Sequence, residues 1–538
     1  MVSSLWKVRF IRRASMAALP ALVVGILSTG CGGSSAESSG NDSSRSGDTP
    51  QAVKQGDTLT VAVTYPPPNF VPPITGGDSP PVWTSSLGYE PLIRLNNDGS
   101  YSPALATKWE LVGTSTFNIT LREGVKFQDG TTMDVDDVVA SLKYNFKYPG
   151  FAKPWGEGVR TIEKTGPNSV SIGCRPSCPP MPFILSQQIG LGWVISKAGL
   201  ADPKKLANQQ FGAGPYILNE SKTNKHSTYT WDANPNYWNK RAIHWKHVVM
   251  RVITDNNARI AALKSGQVDL ITQVPVADGA NLDSAGFKLI KSDCCFRGVL
   301  IADRNGTVAP ALKDERVRQA LNHAIDREGI TKALGEGYAK PTQQITGLGS
   351  GVYDPALDST YPYDPEKAKA LLVEAGYGDG LTLKMETNTL NETDTWALAV
   401  IGYWQKVGIK IDLKTDTTNQ AWLHSVFSKK YPLTMYGYGT LPYPLQVGSF
   451  YEPEAGGPQN SWWVEPEVTA LLEKARSAQT EEAATAAFKE LNTYATKHAL
   501  AVPLAQYSSL FAQNDKINLP PPSPKNFNPV LTAITAAT

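Results

Sequence analysis

Histidine is scarce in this chain, at 6 residues in 538, and so are methionine at 7 and cysteine at 5. That stock offers little for a bare metal centre. The cysteines stand as one isolated residue, Cys31, and two short groups, Cys174 with Cys178 and Cys294 with Cys295. Neither "CRPSC" nor "CC" has the two-residue ligand spacing of a zinc site. An excess of one charge is missing too. The 51 basic and 49 acidic side chains leave a net charge of +2, so no basic field argues for nucleic acid. After Leu27 no apolar run approaches the roughly 20 residues a helix needs to cross a bilayer.

The familiar catalytic signatures are also lacking. "GLGSG" sets its serine one place too late for a nucleophile elbow. No H-E-x-x-H, no phosphate loop and no dinucleotide glycine fingerprint occurs. His244 and His247 in "IHWKH" run into the strand-like "VVMRVI" and read as surface residues flanking it. A convergent acid pair of the glycosidase kind leaves no local trace, so an extracellular hydrolase stays as the enzymatic alternative, beside a purely structural envelope role. The expectation is a protein that is not an enzyme and carries no cofactor and no metal.

What is present begins with Lys7, Arg9, Arg12 and Arg13, then the short apolar run Ala17 to Leu27, then small residues up to Cys31. This order describes an export signal over 1–30. It resembles a bacterial lipoprotein signal, which implies lipidation of Cys31; ordinary secretion with a free or paired Cys31 is the alternative. Residues 31–56 are Gly, Ser, Asn and Asp with hardly a large apolar side chain. Such a stretch cannot offset its ordering entropy and makes a tether with a reach of roughly 25–30 Å. Diacyl anchoring holds a body stably at a membrane, here the outer face of the cell membrane or its periplasmic side. In an exported chain, Cys174, Cys178, Cys294 and Cys295 are disulfide candidates, with Cys174–Cys178 preferred.

The body alternates strands and helices. "LTVAV" opens it as a strand. Asp134 is placed to cap a helix whose buried stripe is Val135, Val138, Val139 and Leu142. In "DERVRQALNHAID" the stripe is Val317, Ala320, Leu321, Ala324 and Ile325, with His323 packed beside it. "YDPEKAKALLVEAGY" has Asp364 as N-cap, Pro365 at the first helical position and Gly376 closing the helix. "LTLKMET", the helix Trp396 to Val407, and "IKIDLKT" make a βαβ unit. A further helix covers about Glu481 to Lys497. The class is α/β.

Several blocks then occur in a fixed order: "LREGVKFQDGTTMDVDDVVASL", "GAGPYIL" with "NPNYW", "ARIAALKSGQVDL", and "DERVRQALNHAID" with "YDPEKAKALLVEAGY". With them the body resembles the extracellular solute-binding proteins of ABC importers, of the dipeptide/oligopeptide/nickel type. The resemblance implies a two-lobed, type II periplasmic-binding-protein-like clamshell with a subdomain inserted in its N-terminal lobe. Lobe I takes 57–96, 211–302 and 503–538, the subdomain 97–210, and lobe II 303–502, with hinge crossings near Asp303 and Ala501. It also implies a monomer that closes over a small-molecule or peptide ligand and docks on a membrane ABC permease. The aromatics of "GVKF" and "PNYW" become core.

By the same resemblance, the ligand-binding candidates are Gly77, Asp78, Ser79 and Trp83 after the first strand, and Trp422 in "NQAWLHSV". They continue with Tyr436, Tyr438, Gly439, Thr440 and Leu441 in "MYGYGTLPYP", and with Asn460 and Trp462 in "QNSWW". Peptide-binding members carry aspartate where this chain has Leu441, and that aspartate pairs the peptide amine. Peptide remains the first expectation for the ligand; an oligosaccharide stacked on tryptophan faces, or a haem-like ligand, is the alternative. A cleft Trp422 is expected to tolerate truncation to alanine with little change in apo stability.

Overall fold

The computed structural model describes residues 55–537 except 73–78, 149–155, 157, 176, 179, 349, 390–391, 440–446, 448–449, 452–461 and 523–528. The expected signal, Cys31 and all but the last residues of the tether lie outside the described residues.

The chain enters through strand β1 (Gly56–Val63) and helix α1 (Ser79–Gly88). Next comes a separate antiparallel sheet of β2 (Ala106–Val112), β3 (Thr116–Leu121), β4 (Val159–Gly166) and β5 (Ser169–Cys174), in the order β2-β3-β5-β4. Helix α2 (Val135–Lys147) packs on it. The Asp134 carboxylate accepts from the N–H groups of Asp136 and Asp137, and the Asp137 carboxylate accepts in return from the N–H of Asp134. That reciprocal box satisfies donors the helix leaves open. Val135, Val138 and Leu142 are buried with Val125 and Phe127 of "GVKF" in one core. Tyr237 of "PNYW" is buried as well, its hydroxyl donating to Glu90 Oε2 at 2.9 Å. Cys174 and Cys178 are bonded to each other. Cys295 is also disulfide-bonded, to a cysteine whose side chain is not among those described. Helix α3 (Met181–Ile184) follows.

Among the described residues the large sheet has eleven strands. Besides β1 these are β6 (Tyr216–Leu218), β7 (Thr228–Ala233), β8 (Trp245–Val252), β9 (Leu270–Ile271), β10 (Lys288–Ile301), β11 (Ala339–Pro341), β12 (Leu381–Asn388), β13 (Ile409–Asp416), β14 (Leu433–Gly439) and β15 (Ala501–Gln513). Their order is β13-β12-β14-β10-β15-β9-β1-β8-β7-β6, with β11 added to β15.

Strands β10 and β15 organise this sheet. They run antiparallel from the pair Lys288/Gln513 to the pair Leu300/Ala501, with a register shift between Ser292 and Cys295. Before the shift, β15 is flanked by β9. Beyond it, β10 is flanked by β14 and β15 by β11. Two continuous strands therefore serve two different strand sets. The directions follow from the pairing. β14 is antiparallel to β10 and β12 and β13 are parallel to β14, so Asn388, Asp416 and Gly439 all end toward the shift. From the other side β9 and β1 are parallel and also end toward it.

Helices α4 (Glu315–His323), α5 (Pro365–Glu374) and α6 (Thr393–Gln405) cover the second strand set. Asp364 caps α5, Pro365 is its first residue, and Gly376 follows at φ +86°, where a side chain would be strained. β12, α6 and β13 form the expected parallel βαβ unit. Trp396, Val400 and Trp404 of α6 are buried against Leu383 and Met385, and the Trp404 indole donates to Leu321 O at 2.9 Å. His323 is buried, with Nδ1 2.9 Å from Pro362 O. Helix α7 (Asn419–Phe427) lies over β12 and β13, and α8 (Pro466–Arg476) packs on α9 (Glu481–Lys497).

One buried ion pair ties the exit of β10 to the start of α8. Arg304 donates to Glu465 through Nε at 2.7 Å and Nη2 at 3.2 Å, and its Nη1 donates to Ile301 O at 3.0 Å. The Arg304 side chain is fully buried. Removing one partner of such a pair strands the other charge away from water. Glu465→Ala is expected to lower unfolding free energy by about 3–5 kcal/mol, read as a reduced denaturation midpoint. An unchanged midpoint would show that the guanidinium rehydrates freely.

Candidate functional site

Open α/β sheets bind ligands beyond the carboxyl ends of their parallel strands. Here two such groups of ends point at each other across the β10/β15 crossing. One carries the loop after β1, which leads to Ser79 at the start of α1. The other carries Glu386 to Asn388, Asp416 and Tyr436 to Gly439.

The expected ligand residues divide between these places. Gly77, Asp78, Thr440, Leu441 and Asn460 lie outside the described residues. Ser79 is the first residue of α1. Tyr436, Tyr438 and Gly439 occupy β14, paired with Gly298, Phe296 and Cys295 of β10. A Cβ at Gly437 would stand 2.7 Å from the Tyr507 hydroxyl oxygen, so the end of that side chain would have to shift.

Two tryptophans differ from their expected setting. Trp83 is fully buried, donates its indole N–H to Pro529 O at 2.7 Å and packs near Phe511. Its ring and its one polar atom belong to the core around β1. Trp422 is only 8 % exposed and joins a core cluster with Phe296, Phe450 and Tyr451. The expectation that its truncation would leave apo stability unchanged is corrected by this burial: loss of a buried tryptophan side chain costs about 3–5 kcal/mol. Trp462 is half-buried against the same cluster, and its N–H donates to Ala302 O at 2.8 Å. Leu95, Phe183, Ile184 and Ile189 also belong to that cluster, so one apolar seam joins residues preceding β6 to residues following β11.

Sequence reading missed a group of charged residues at the ends of β12 and β13. Glu386 is fully buried, and the Thr434 hydroxyl donates to its Oε1 at 3.0 Å. Lys414 Nζ lies 3.0 Å from Asp416 Oδ1 and also donates to the Ser425 hydroxyl of α7. Register pairs Glu386 with Lys414 and Asn388 with Asp416, so the two acids sit diagonally on neighbouring strands. Burial, opposed by the Thr434 hydrogen bond and reinforced by the Asp416 charge, pushes the Glu386 carboxyl up to about 8. In "KMETN" and "DLKTD" these positions alternate with apolar ones and look like the watered half of an amphipathic strand. Only the strand-end rule could have singled them out.

Arg297 was missed as well. It is buried on β10, 4.5 Å from the Tyr507 ring centroid and 5.2 Å from that of Trp396. A cavity of about 290 Å³ beside Gln128, Ser196, Gln210 and Phe211 touches none of the expected ligand residues. The amides of Gln128 and Gln210 there are already engaged by Gly88, Tyr216, Thr84 and Trp231. Among the described residues no three His, Cys, Asp or Glu side chains converge as metal ligands, and no helix is long and apolar enough to cross a membrane.

The raised Glu386 carboxyl has a definite sign in stability. Between the ordinary glutamate value of 4.5 and about 8, the folded chain keeps a proton that the unfolded chain has lost. Its contribution is therefore full below the lower value and disappears as pH rises through the upper one, at up to about 1.4 kcal/mol per pH unit. Urea midpoints measured across this window should fall with pH in the parent and fall less steeply in Glu386→Gln. Equal slopes would mean that Glu386 is hydrated.

Comparison with known proteins follows the same lines. The sequence model of "Bacterial extracellular solute-binding proteins, family 5 Middle" matches residues 100–460. Heme-binding protein A of Haemophilus influenzae is 29% identical over 373 residues, covering 61% of this chain and 64% of that protein. The glutathione-binding protein GsiB of Salmonella paratyphi A is 28% identical over 351 residues, covering 61% of this chain and 63% of its own length. The aligned part thus spans less than two thirds of each relative. The periplasmic binding protein DppA from Helicobacter pylori, solved with the peptide STSA, superposes with a TM-score of 0.78 at 20% identity, over 90% of this chain and 99% of DppA. The fold is that of the type II periplasmic binding proteins. With more than half its length matched, this chain belongs to the bacterial extracellular solute-binding proteins of family 5.

Proposed function

We propose that this protein captures a peptide outside the membrane and delivers it to an ABC permease without altering it chemically. The observation that carries this reading is the meeting of two sets of parallel strand ends over one shared strand pair. That geometry suits a guest held between two walls, with closure driven by contacts that exist only when both walls touch it. The family matched by residues 100–460 supports solute binding. The peptide held by DppA and the glutathione in the name of GsiB, itself a small peptide, support the cargo.

In this reading the lobes take the boundaries expected from sequence, 57–96, 211–302 and 503–538 for lobe I and 303–502 for lobe II, with 97–210 inserted. The register shift in β10 becomes part of the hinge. Export over 1–30, a lipid on Cys31 and the tether to residue 56 would keep the body near its permease as a monomer. Leu441, in place of an aspartate, favours a second cargo class without a free amine at that position, such as an oligosaccharide or a haem-like ligand.

Native mass spectrometry of the purified protein is expected to show one retained compound of peptide mass, released on denaturation and unchanged in mass over hours. Steady product formation would overturn the binding role. A retained sugar or tetrapyrrole would overturn the peptide. Trp422→Phe, which keeps part of the ring bulk that Trp422→Ala removes, is expected to weaken ligand-induced thermal stabilisation while lowering apo stability by less than the about 3–5 kcal/mol of the alanine variant.

A further inference from the structure

Cys295 is disulfide-bonded, while Cys174 and Cys178 are used up by each other. Of the five cysteines, Cys31 and Cys294 are left as partners for it. Cys31 stands before the tether, and in the lipoprotein reading its sulfur carries the lipid. Cys294 is the residue next to Cys295. In a regular strand such a neighbour is out of reach, because successive side chains point to opposite faces. At this place β10 is not regular. From Ser292 to Cys295 it advances three residues while β15 advances two, from Ser509 to Tyr507. The extra residue interrupts the alternation of faces. Ser508, the β15 residue opposite the interruption, turns its N–H to Tyr338 O at 2.8 Å and its hydroxyl to the Asp293 carboxylate.

We propose that Cys294 and Cys295 are bonded to each other and form a redox site built into the register shift, opened by a dithiol reductant. One thiolate of the reductant attacks a cysteine sulfur, the S–S bond breaks, and the second thiol resolves the mixed disulfide. The chain gains two electrons and two protons as a pair of thiols, and the reductant leaves as a disulfide. Covalent geometry makes this bond more reducible than the other. Neighbouring Cα atoms lie at most about 3.8 Å apart, short of the about 4.4–6.8 Å that disulfides usually span. Cys174 and Cys178 meet that range, with Cα atoms 4.9 Å apart. Access has the same sense. Cys295 is half-buried where Cys174 is buried, and its register partner on β14, Gly439, carries no side chain. The position gives the bond its consequence. The β10–β14 ladder starts at Cys295, so releasing the extra residue loosens the end of β14 and the middle of β15 together. None of this depends on which solute is bound.

The test takes the mature chain isolated from an oxidising compartment without reductant. Trypsin cuts after Lys291 and Arg297, so the peptide Ser292–Arg297 carries both cysteines and no other. It is expected unlinked, lighter by two hydrogens than its dithiol form and unmodified by iodoacetamide. Alkylation without reduction, or a link to the Cys31 peptide, overturns the pairing. Graded dithiothreitol with iodoacetamide then ranks the two bonds. Cys294 and Cys295 are expected to label at roughly tenfold less reductant than Cys174 and Cys178; an equal or reversed order overturns the redox site. Hydrogen exchange is followed in the parent at that low reductant concentration. Leu433–Gly439 and Ala505–Ser509 are expected to exchange several-fold faster than in the oxidised chain. The double variant Cys294→Ser/Cys295→Ser should match the faster rates without reductant and ignore its addition. Unchanged exchange in the reduced parent makes the bond a passive staple and overturns its control of the shift, a result that stands even if the double variant folds poorly.

Discussion

The antiparallel pairing of β10 with β15 is the constraint on which the molecule rests. Both strands run unbroken through a register shift, and on either side of it they accept different neighbours. Strand polarity then leaves no freedom. Because β14 is antiparallel to β10 and β9 is antiparallel to β15, each flanking set has its parallel strands ending at the shift. Two groups of strand ends facing each other follow from pairing alone, before any side chain is considered.

The side chains at those ends divide into two kinds. Residues that pack as ordinary core hold the walls in place: Trp83 through its bond to Pro529, Trp404 through its bond to Leu321, and Arg304 through Glu465. Residues such as Glu386, Asp416 and Trp422 are as deeply buried yet retain unserved polar atoms. In a well-packed interior such unserved atoms are uncommon and mark these positions as distinct from the ordinary core.

Much of the fold could be read from the chain because its signals are local. Asp134 and Asp364 cap helices by side-chain geometry spanning three residues, and the β12–α6–β13 unit shows its periods of two and 3.6 directly. The Cys174–Cys178 bond is likewise local. The site was harder to read, since its chemistry depends on which strand lies next to which. Glu386 and Lys414 are 28 positions apart in the numbering but paired in register, and nothing in "KMETN" announces that its acid faces inward. Trp83 and Trp422 show the opposite error. Both were assigned to the ligand by family resemblance, and both are buried, Trp83 with its indole bonded to Pro529 and Trp422 with its indole nitrogen unpartnered. Family resemblance supplied the region; burial and hydrogen bonding supplied the distinction.

The apolar seam that includes Leu95, Phe183, Phe296, Trp422 and Phe450 has a thermal corollary. If the proposed lobes part, β10 and β15 still continue through the crossing, and what is lost is chiefly oily contact. Such contact weakens on cooling. On the proposed reading, a chilled sample holds a larger share of opened molecules than a warm one.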